Sequence, residues 1–410
     1  MIETTNLVQN PPFPKNYASE MLRIERGRGV DLWDAAGKRY LDLGAGIAVN
    51  ALGYGRRDLA KIAARQMRRL IHISNLYATA PAIDLANLLL DLTRQRGNHF
   101  AAVQFGNSGA EANEAALKYA RLYAYRTRGP GHHKILSLSN AFHGRTMGAL
   151  SATPNKKYSE PFEPLVPDML SCDYNDPDQV EAVVNDSFAA IIVEVIQGEG
   201  GLRVMSREFA SRLNELCAKH DVLLIADEVQ TGLGRTGRLF GSELVGLKPD
   251  MMTFSKPLAG GLPLSATMVP EKVNTLLHPG DHGTTFGGGP VTASVAAHVV
   301  RTIAAPDFLA SVEKLGGELT AMLDDIVASS SEVEDRRGLG MLQGIAIRSP
   351  EGSDDASGRV AEIMNACRER GVLLLRSSSN VVRIAPPLVI SSRELARGIG
   401  ILKEVLWQTR

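Results

Sequence analysis

The chain has 410 residues, 44% of them hydrophobic, which is enough apolar material for a large core and for more than one domain. It carries 45 Lys and Arg residues against 45 Asp and Glu residues, so no overall field draws it to nucleic acid or to an anionic membrane. There are three widely spaced cysteines, no apolar N-terminal signal and no run of about 18 apolar residues, so we expect a cytoplasmic protein without disulfides, structural zinc or membrane spans.

The first part of the sequence predicts an irregular arm followed by a β-hairpin. Residues 1–20 are rich in Pro and Asn, which favour irregular structure. Residues 29–33 and 39–43 alternate apolar and polar side chains, and turn-forming residues at 36–38 separate them. We therefore expect two paired strands near the start of the chain.

After about residue 58 the pattern changes to helical segments that alternate with short apolar runs. Each run is bounded by Gly, Asn, Asp or Ser, and the runs lie at 101–105, 134–138, 189–195, 222–226 and 251–254. Such alternation is typical of an α/β fold built on a mainly parallel sheet.

The last hundred residues predict a smaller α+β domain. The pattern gives a long helix, then a strand, a second helix and two further strands, at 306–329, 344–347, 355–370, 372–375 and 381–384. We expect an N-terminal segment, 1–57, that packs with this small domain, a large ligand-binding domain, 58–304, and the small domain itself, 305–410.

A ligand of an open parallel sheet binds outside the carboxyl ends of the strands, so the residues directly after each run are candidates for a site. Ser108, Gly109 and Ala110 follow the first run and open a helix, whose free N–H groups and positive dipole suit a phosphate. Taken alone, this turn is more typical of an ordinary Ser N-cap with Glu111 in the first turn.

The second run is followed by Phe142 and Arg145, which could stack on a flat ligand and bind a carboxylate. Alone, they are more typical of a core aromatic and a surface arginine. Asp227 follows a buried run and needs a cation, such as a protonated pyridine nitrogen. Metal binding by Asp227 with Glu228 is the alternative, although adjacent residues of an extended chain point to opposite sides.

Lys256 ends the fifth run inside a Gly-rich turn, where partial desolvation would make its amine nucleophilic. The structural alternative is a lysine whose stem covers apolar surface. A second Gly-rich loop offers the hydroxyls of Thr284 and Thr285 to a phosphate. In this order, a phosphate turn, a stacking aromatic, a carboxylate and a lysine are the parts of a pyridoxal 5'-phosphate (PLP) site, with no metal.

Residues 232–237 match the dinucleotide-binding pattern G-x-G-x-x-G. In a dinucleotide fold this pattern opens a helix directly after a strand. Here residues 227–231 intervene, and residues 238–241 do not resemble a helix start. An NAD-dependent dehydrogenase is therefore only a remote alternative.

At this point the chain resembles the class III, or ω-amino, aminotransferases, and most of all their acetylornithine branch. The segments that carry the resemblance are NSGAEANEA (107–115), FHGRT (142–146), QGEGG (197–201), ADEVQTGLGRTG (226–237), SKPLAGG (255–261), HGTTFGG (282–288) and VVRIAPPL (381–388). The resemblance implies the PLP-dependent transferase fold type I and a homodimer with shared active sites. Val195 and Gly289 depart from the family pattern, which usually has Pro and Asn there.

The resemblance also implies a role for each matched residue. Lys256 is the Schiff-base lysine and Asp227 pairs with the pyridinium nitrogen. The remaining cofactor contacts are Val229 behind the ring, Phe142 stacked on its other face, Gln230 at the ring hydroxyl oxygen, Ser108, Gly109 and Ala110 at the phosphate, and Thr285 of the partner subunit at the same phosphate. The substrate carboxylates are implied to bind Arg145 and Arg383, with Glu199 pairing with Arg383 when that arginine is not needed.

The resemblance finally implies a reaction between small amino and keto acids. The expected pair is N2-acetylornithine and 2-oxoglutarate, giving N-acetylglutamate 5-semialdehyde and glutamate, as in arginine biosynthesis. A 4-aminobutyrate or ornithine aminotransferase has the same parts and remains an alternative. We place Gly46 in an N-terminal strand where ornithine aminotransferases carry Tyr, so an acyl group has room there, and residues 72–77 also resemble the acetylornithine branch.

Overall fold

The apolar runs in the middle of the chain form the central sheet of the protein. The computed structural model describes residues 7–17, 20–349, 353 and 355–408. Numbered along the chain, the strands are β1 Leu7–Gln9, β2 Glu20–Leu22, β3 Ile24–Arg28, β4 Asp31–Asp34, β5 Arg39–Asp42, β6 Ala102–Gly106, β7 Lys134–Leu138, β8 Met169–Cys172, β9 Phe188–Val193, β10 Leu223–Asp227, β11 Met251–Phe254, β12 Ser265–Val269, β13 Val333–Leu339, β14 Leu342–Ile347, β15 Val372–Leu373, β16 Leu375–Ser377 and β17 Val381–Ile384.

Helices cover the faces of this sheet and build most of the small domain. The longer ones are Arg57–Arg69, Ala80–Arg94, Gly109–Arg128, Arg207–His220, Pro290–Ala304, Pro306–Ser329, Ser357–Glu369 and Ser392–Gln408. Short helices lie at Met147–Ser151, Lys156–Ser159, Pro177–Val183, Ser242–Val245 and Glu271–Asn274, and a 3-10 turn at Glu160–Phe162. In the described part of the chain no single helix is long and apolar enough to cross a membrane. Pro290–Ala304 and Pro306–Ser329 meet that test only as a pair, which is bent by 65°.

The central sheet has the strand order β6-β12-β11-β10-β9-β7-β8. Strands β8, β7, β9, β10 and β11 are mutually parallel, whereas β12 is antiparallel to both of its neighbours. Every residue of β9, β10, β11 and β12 is buried, as expected for strands covered on both faces. The predicted mainly parallel α/β sheet is therefore present.

The two faces of the sheet belong to two different cores because successive side chains of a strand point to opposite sides. On one face Ile192 and Ile225 pack with the helix Gly109–Arg128. On the other face Ile191 and Leu224 join the larger core, which continues into the small domain. The sheet is thus held rigidly between helices, and only its edges and strand ends are open to a ligand.

The N-terminal hairpin is tied to the C-terminal part of the chain by strand pairing. Strands β4 and β5 pair antiparallel, as predicted, with Leu32 opposite Tyr40. β15 then pairs in parallel with β5, and the resulting sheet has the order β15-β5-β4-β3. This pairing supports a small domain that includes the N-terminal segment, and the domain bounds stay a prediction.

Some elements differ from the prediction. Within the predicted irregular arm, Leu7–Gln9 pairs with Glu20–Leu22, while residues 1–6, 18 and 19 lie outside the described part. The expected strand over 372–375 is two short strands, β15 and β16, in different sheets. The strands β3, β8 and β12 carry no strong apolar run in the sequence and were not predicted. The long helix at 306–329 is confirmed at both ends.

The G-x-G-x-x-G segment forms turns and does not begin a helix. Helix Ser242–Val245 is the next one along the chain. Arg235 of this segment is buried and donates to the carbonyl oxygens of Met341 (3.2 Å) and Pro386 (2.5 Å), so it connects the turns after β10 with two loops of the C-terminal part of the chain. The segment has a structural task and lacks the strand–turn–helix geometry of a dinucleotide site.

Candidate active site

The carboxyl ends of the central strands surround a cavity of about 420 Å³. The predicted site residues that line it are Ser108, Gly109 and Ala110 after β6, Phe142 and Arg145 after β7, Asp227, Val229 and Gln230 at and after the end of β10, and Lys256 after β11. A larger cavity of about 630 Å³ lies between the helices Arg57–Arg69, Ala80–Arg94 and Pro290–Ala304, away from these strand ends. The smaller cavity is therefore the candidate active site, because the predicted site residues line it.

The helix Gly109–Arg128 begins with a capping box at Ser108. The Ser108 hydroxyl accepts the N–H of Glu111 at 3.3 Å, and the Glu111 carboxylate accepts the N–H of Ser108 at 2.9 Å. The ordinary N-cap and the anion site are compatible, since the N–H groups of Gly109 and Ala110 have no acceptor within the helix. A Cβ on Gly109 would lie only 2.7 Å from Val229 Cγ1, so the turn needs glycine to approach the cavity.

Asp227 is buried in a hydrogen-bond network whose two side-chain partners are distant in sequence. Its Oδ2 accepts from Asn113 Nδ2 and from His143 Nδ1, each at 2.8 Å, and its Oδ1 accepts the N–H of Val229 at 3.0 Å. A carboxylate can accept about four hydrogen bonds, so Asp227 still has room for one cation or donor in the cavity. The network fixes the carboxylate and leaves its free lone pair available.

The adjacent Glu228 has a separate, structural environment. Its carboxylate accepts from the Thr231 hydroxyl at 2.6 Å and from the N–H groups of Gly241 and Ser242 at 2.9 and 2.7 Å. Burial raises the pKa of this carboxyl. The two carboxylates do not converge, and among the described residues no group of three or more His, Cys, Asp or Glu is placed to hold a metal ion.

Lys256 is a half-buried lysine that lines the cavity. Burial lowers the pKa of its ammonium, although the negative charges of Asp227 and Glu199 oppose that effect. No carboxylate of the described residues lies within ion-pair distance of its Nζ. A lysine in this setting gives up its proton more readily than one in water and can act as a nucleophile.

Arg383 of β17 is buried behind Gln230 and reaches the site from the small domain. Its Nη1 donates to Glu199 Oε1 at 2.5 Å, to the carbonyl oxygen of Gly198 at 2.8 Å and to Gln230 Oε1 at 3.1 Å. Its Nε has no hydrogen-bond partner in the described part of the chain. Glu199 is the more exposed member of the pair, at 26% against 3% for the Arg383 side chain.

Phe142 and Arg145 stand on the loop after β7. The Phe142 ring meets Tyr158 edge-on at 6.1 Å, and the Arg145 guanidinium lies 4.0 Å from the Tyr158 ring. Arg145 is exposed, and no carboxylate of the described residues pairs with it. It is therefore a cation held by an aromatic face at the mouth of the cavity and open to an anion.

Thr285 does not line this cavity within one chain. It is exposed and lines a separate cavity of about 230 Å³ together with the segment that contains Asn75. Asn75 Nδ2 donates to the carbonyl oxygens of Thr284 and Gly287, both at 3.0 Å, so residues 72–77 fix the Thr285 loop. Within one chain Thr285 therefore lies apart from the phosphate turn.

The geometry agrees with what comparisons with known proteins find. A family model described as Aminotransferase class-III matches residues 13–406. The acetylornithine aminotransferase of Alnus glutinosa, described as mitochondrial, is 41% identical over 396 residues, which cover 95% of this chain and 84% of that protein. The chain belongs to the class III aminotransferases.

Two solved structures of this kind superpose closely. The N-acetylornithine aminotransferase from Stenotrophomonas maltophilia is 32% identical, with a TM-score of 0.80 and coverage of 94% of this chain and 96% of that one. The ornithine aminotransferase from Toxoplasma gondii is 30% identical, with a TM-score of 0.90 and coverage of 97% and 93%. The predicted fold, PLP-dependent transferase fold type I, is confirmed, and the chain is a PLP-dependent aminotransferase.

The cavity of this aminotransferase fits PLP in four respects. The Gly109–Ala110 end of a 20-residue helix suits the phosphate. Asp227 keeps a lone pair for the ring nitrogen, and the amine of Lys256 is suited to covalent attachment. Gln230 is held by Arg383 through its Oε1, so its amide N–H₂ remains to donate to a ring oxygen.

The prediction that Gly46 lies in a strand is wrong. Ala45, Gly46, Ile47 and Ala48 all have φ between 48° and 64° and form a left-handed turn. Of this segment it is Val49 that lines the cavity. Three of the four are not glycine, and a left-handed conformation costs each of them about 1–2 kcal/mol.

Sequence reasoning missed three residues of the site, namely Asn113, His143 and Glu194. All three are buried and line the cavity. Asn113 and His143 stand inside two of the motif segments, and His143 directly follows Phe142. The available signal was that polar side chains in buried segments need partners.

Proposed function

We propose that this aminotransferase moves the amino group of N2-acetylornithine to 2-oxoglutarate, giving N-acetylglutamate 5-semialdehyde and glutamate. The observation that carries the proposal is the buried Arg383 paired with the more exposed Glu199, beside the unpaired Arg145. The names of the Alnus and Stenotrophomonas proteins support the same substrate. Arg145 is always available to a carboxylate, whereas Arg383 is available only when Glu199 does not pair with it. Such a site suits two substrates of different charge.

In the proposed mechanism Lys256 holds PLP covalently in the resting enzyme. When bound, PLP supplies a conjugated ring that withdraws electrons from the substrate carbon as its C–H bond breaks. With substrate bound, the free amine of Lys256 would accept the proton from that carbon, which the lowered pKa of its ammonium permits. Asp227, fixed by Asn113 and His143, keeps the ring nitrogen protonated.

The remaining cofactor contacts are proposed on the same geometry. Gly109 and Ala110 donate their N–H groups to the phosphate, and Ser108 caps the helix that presents them. Phe142 and Val229 enclose the ring between them, and Gln230 donates to its hydroxyl oxygen. These contacts orient the ring and exclude water from the reacting carbon.

The two arginines divide the work between the two substrates. Glutamate carries two carboxylates and uses both Arg145 and Arg383, which requires Glu199 to swing away. N2-acetylornithine presents its distal amine to the cofactor, so only one carboxylate remains, for Arg145. Arg383 then faces an apolar stem, and Glu199 neutralises this buried cation, which would otherwise be costly.

We further propose a cytoplasmic homodimer with active sites shared between subunits. Ile71, Leu76, Tyr77 and Phe286 are between 61% and 88% exposed, and they belong to segments that pack together around the Thr285 loop. An exposed apolar patch of this kind is typical of a protein interface. Burying it against a second copy gives Thr285 a route to the partner's phosphate site. The three cysteines are free and buried, which suits a reducing compartment.

A donor panel tests the substrate. The holoenzyme is mixed with N2-acetylornithine, ornithine or 4-aminobutyrate, and conversion of the cofactor to its amine form is followed by the loss of visible absorbance. We expect kcat/KM to be highest for N2-acetylornithine, with 2-oxoglutarate as acceptor. A higher value for 4-aminobutyrate would overturn the substrate and leave the aminotransferase chemistry intact.

Ornithine is the second candidate because the Toxoplasma structure is an ornithine aminotransferase. Free ornithine carries an α-ammonium, which needs an acidic or phenolic partner in the site. Val49, the residue of the N-terminal turn that lines the cavity, is apolar and offers none. Ornithine should therefore rank below its acetylated form, and equal values for the two donors would favour the ornithine assignment.

A further inference from the structure

Glu194 is a buried carboxylate between two loops of the active site. It follows β9 directly, is 5% exposed and lines the cavity. Its Oε1 accepts the N–H of Phe142 at 2.9 Å, and its Oε2 accepts the N–H of Gly198 at 3.1 Å. Phe142 belongs to the loop after β7 and Gly198 to the turn that carries Glu199. The Glu194 side chain thus connects Phe142 with the turn whose Glu199 pairs with Arg383.

The Gly198 turn transmits its position to both Arg383 and Gln230. The carbonyl oxygen of Gly198 accepts from Arg383 Nη1 at 2.8 Å and from the Ser377 hydroxyl at 2.7 Å. A Cβ at Gly198 would collide with the side-chain amide of Gln230. Because Gly198 and the Gln230 side chain are packed this closely, a shift of the turn also moves Gln230, which lines the cavity together with Asp227.

The electrostatic setting shows that the position of Glu194 is maintained at a cost. The pKa of its carboxyl is raised to about 7, chiefly by burial and also by the nearby charge of Asp227. The charge of His143 and the two backbone N–H groups act in the opposite direction. An apolar residue would avoid this desolvation but could not hold either loop.

We propose that Glu194 is a positioning residue for transamination, which holds Phe142 and the Gly198–Glu199 turn in register with one another. The stacking face of the cofactor site and the switch at Arg383 are then set by one carboxylate. This inference rests on the proposed roles of Phe142 and Arg383. It does not depend on which ω-amino donor is used.

The test is Glu194→Gln, compared with the wild-type holoenzyme. The amide keeps one acceptor oxygen and replaces the other with an N–H₂ group, so it can hold only one of the two loops. We expect the PLP dissociation constant, from titration of the apoenzyme, to rise about tenfold, as for the loss of one charge-assisted hydrogen bond. The visible circular dichroism of bound PLP should weaken, and 2-oxoglutarate should bind the amine form of the enzyme less tightly.

Glu228→Gln is the matched control. Glu228 is as deeply buried, also accepts two backbone N–H groups and stands next to Asp227, but it does not line the cavity. It should lower the thermal midpoint of the apoenzyme at least as much as Glu194→Gln does, and leave PLP affinity and circular dichroism within twofold of wild type. A merely structural role of Glu194 predicts that the two variants behave alike.

A second variant keeps the proposal testable if Glu194→Gln folds poorly. Gly198→Ala leaves Glu194 intact and displaces the same turn from Gln230, so it should reproduce the weaker 2-oxoglutarate binding. The proposal is overturned if Glu194→Gln retains wild-type PLP affinity and circular dichroism, if Gly198→Ala retains wild-type 2-oxoglutarate binding, or if Glu228→Gln changes these readouts as much as Glu194→Gln does. A donor panel that favours 4-aminobutyrate would overturn the proposed substrate alone, since these readouts do not use a donor.

Discussion

Replacing Glu199 with Gln should change the balance between the two half reactions of the enzyme. The substitution keeps the shape of the side chain and removes the charge that faces Arg383 at 2.5 Å. With N2-acetylornithine bound, Arg383 would then face neutral acceptors alone, namely the Gly198 carbonyl oxygen, Gln230 and the amide oxygen that the substitution introduces. With glutamate bound, the substrate carboxylate replaces Glu199, so the variant loses little there.

The expected change in the kcat/KM ratio follows from the burial of the ion pair between Glu199 and Arg383. Breaking a fully buried ion pair by removing one partner costs about 3–5 kcal/mol. Glu199 is 26% exposed, so solvent screens part of the interaction, and we take about 1–3 kcal/mol. At about 1.4 kcal/mol per tenfold, the ratio of kcat/KM for N2-acetylornithine to that for glutamate should fall by roughly 5- to 140-fold. The free enzyme is common to both half reactions, so its own rearrangement cancels in this ratio.

Single-turnover absorbance of the bound cofactor measures each half reaction separately. Glu313→Gln is the control, because Glu313 forms an exposed pair with Arg238 at 2.9 Å, at the surface of the protein and outside the cavity. It should leave the ratio unchanged. Equal losses in both half reactions of Glu199→Gln would refute the switch, since a residue needed only for folding or cofactor binding affects the two substrates alike.

Three further outcomes are expected. Lys256→Ala should still bind PLP through the phosphate of the cofactor but show almost no turnover. Borohydride reduction of the wild-type enzyme should place the pyridoxyl group on Lys256, and an adduct on another lysine would refute the mechanism. Asp227→Ala should cost more than about 3 kcal/mol in transition-state free energy, measured as kcat/KM, and near-normal activity would refute the pairing with the ring nitrogen. A mixed dimer of Lys256→Ala and Thr285→Ala subunits should regain one working site, and no recovery on mixing would mean that Thr285 does not act across the interface.

Much of the central sheet was predictable because parallel strands covered on both faces must be apolar throughout. The runs at 134–138 and 251–254 became strands with the same bounds. β8 and β12 were missed for physical reasons. β8 is an edge strand with partly exposed residues, and the sequence of β12 mixes Ser and Thr with apolar residues. The hydroxyl of Thr267 on β12 is satisfied by the carbonyl oxygen of Ala112, a partner 155 residues away that no local pattern reveals.

The site was predictable where chemistry follows a strand end and unpredictable where it depends on contacts across the sheet. Asp227 and Lys256 stand at the ends of buried runs, so their unusual positions are visible in the sequence. The side-chain partners of Asp227 cannot be read from the sequence in the same way. Asn113, in the helix Gly109–Arg128, is 114 residues away, and His143 is 84 residues away. The left-handed turn at 45–48 was missed because three of its four residues are Ala or Ile, which normally avoid positive φ.

The strand order explains why these distant partners are needed. β10 lies between β9 and β11, so the end of β10 places Asp227 between Glu194 on one side and Lys256 on the other. A bare carboxylate there would raise the pKa of the Lys256 ammonium and keep it charged, which would prevent it from acting as a base. Asn113, His143 and the N–H of Val229 hold the Asp227 carboxylate in place for a ring nitrogen. At Lys256 the effect of burial, which lowers the pKa of the ammonium, is larger than the opposing effect of the Asp227 charge.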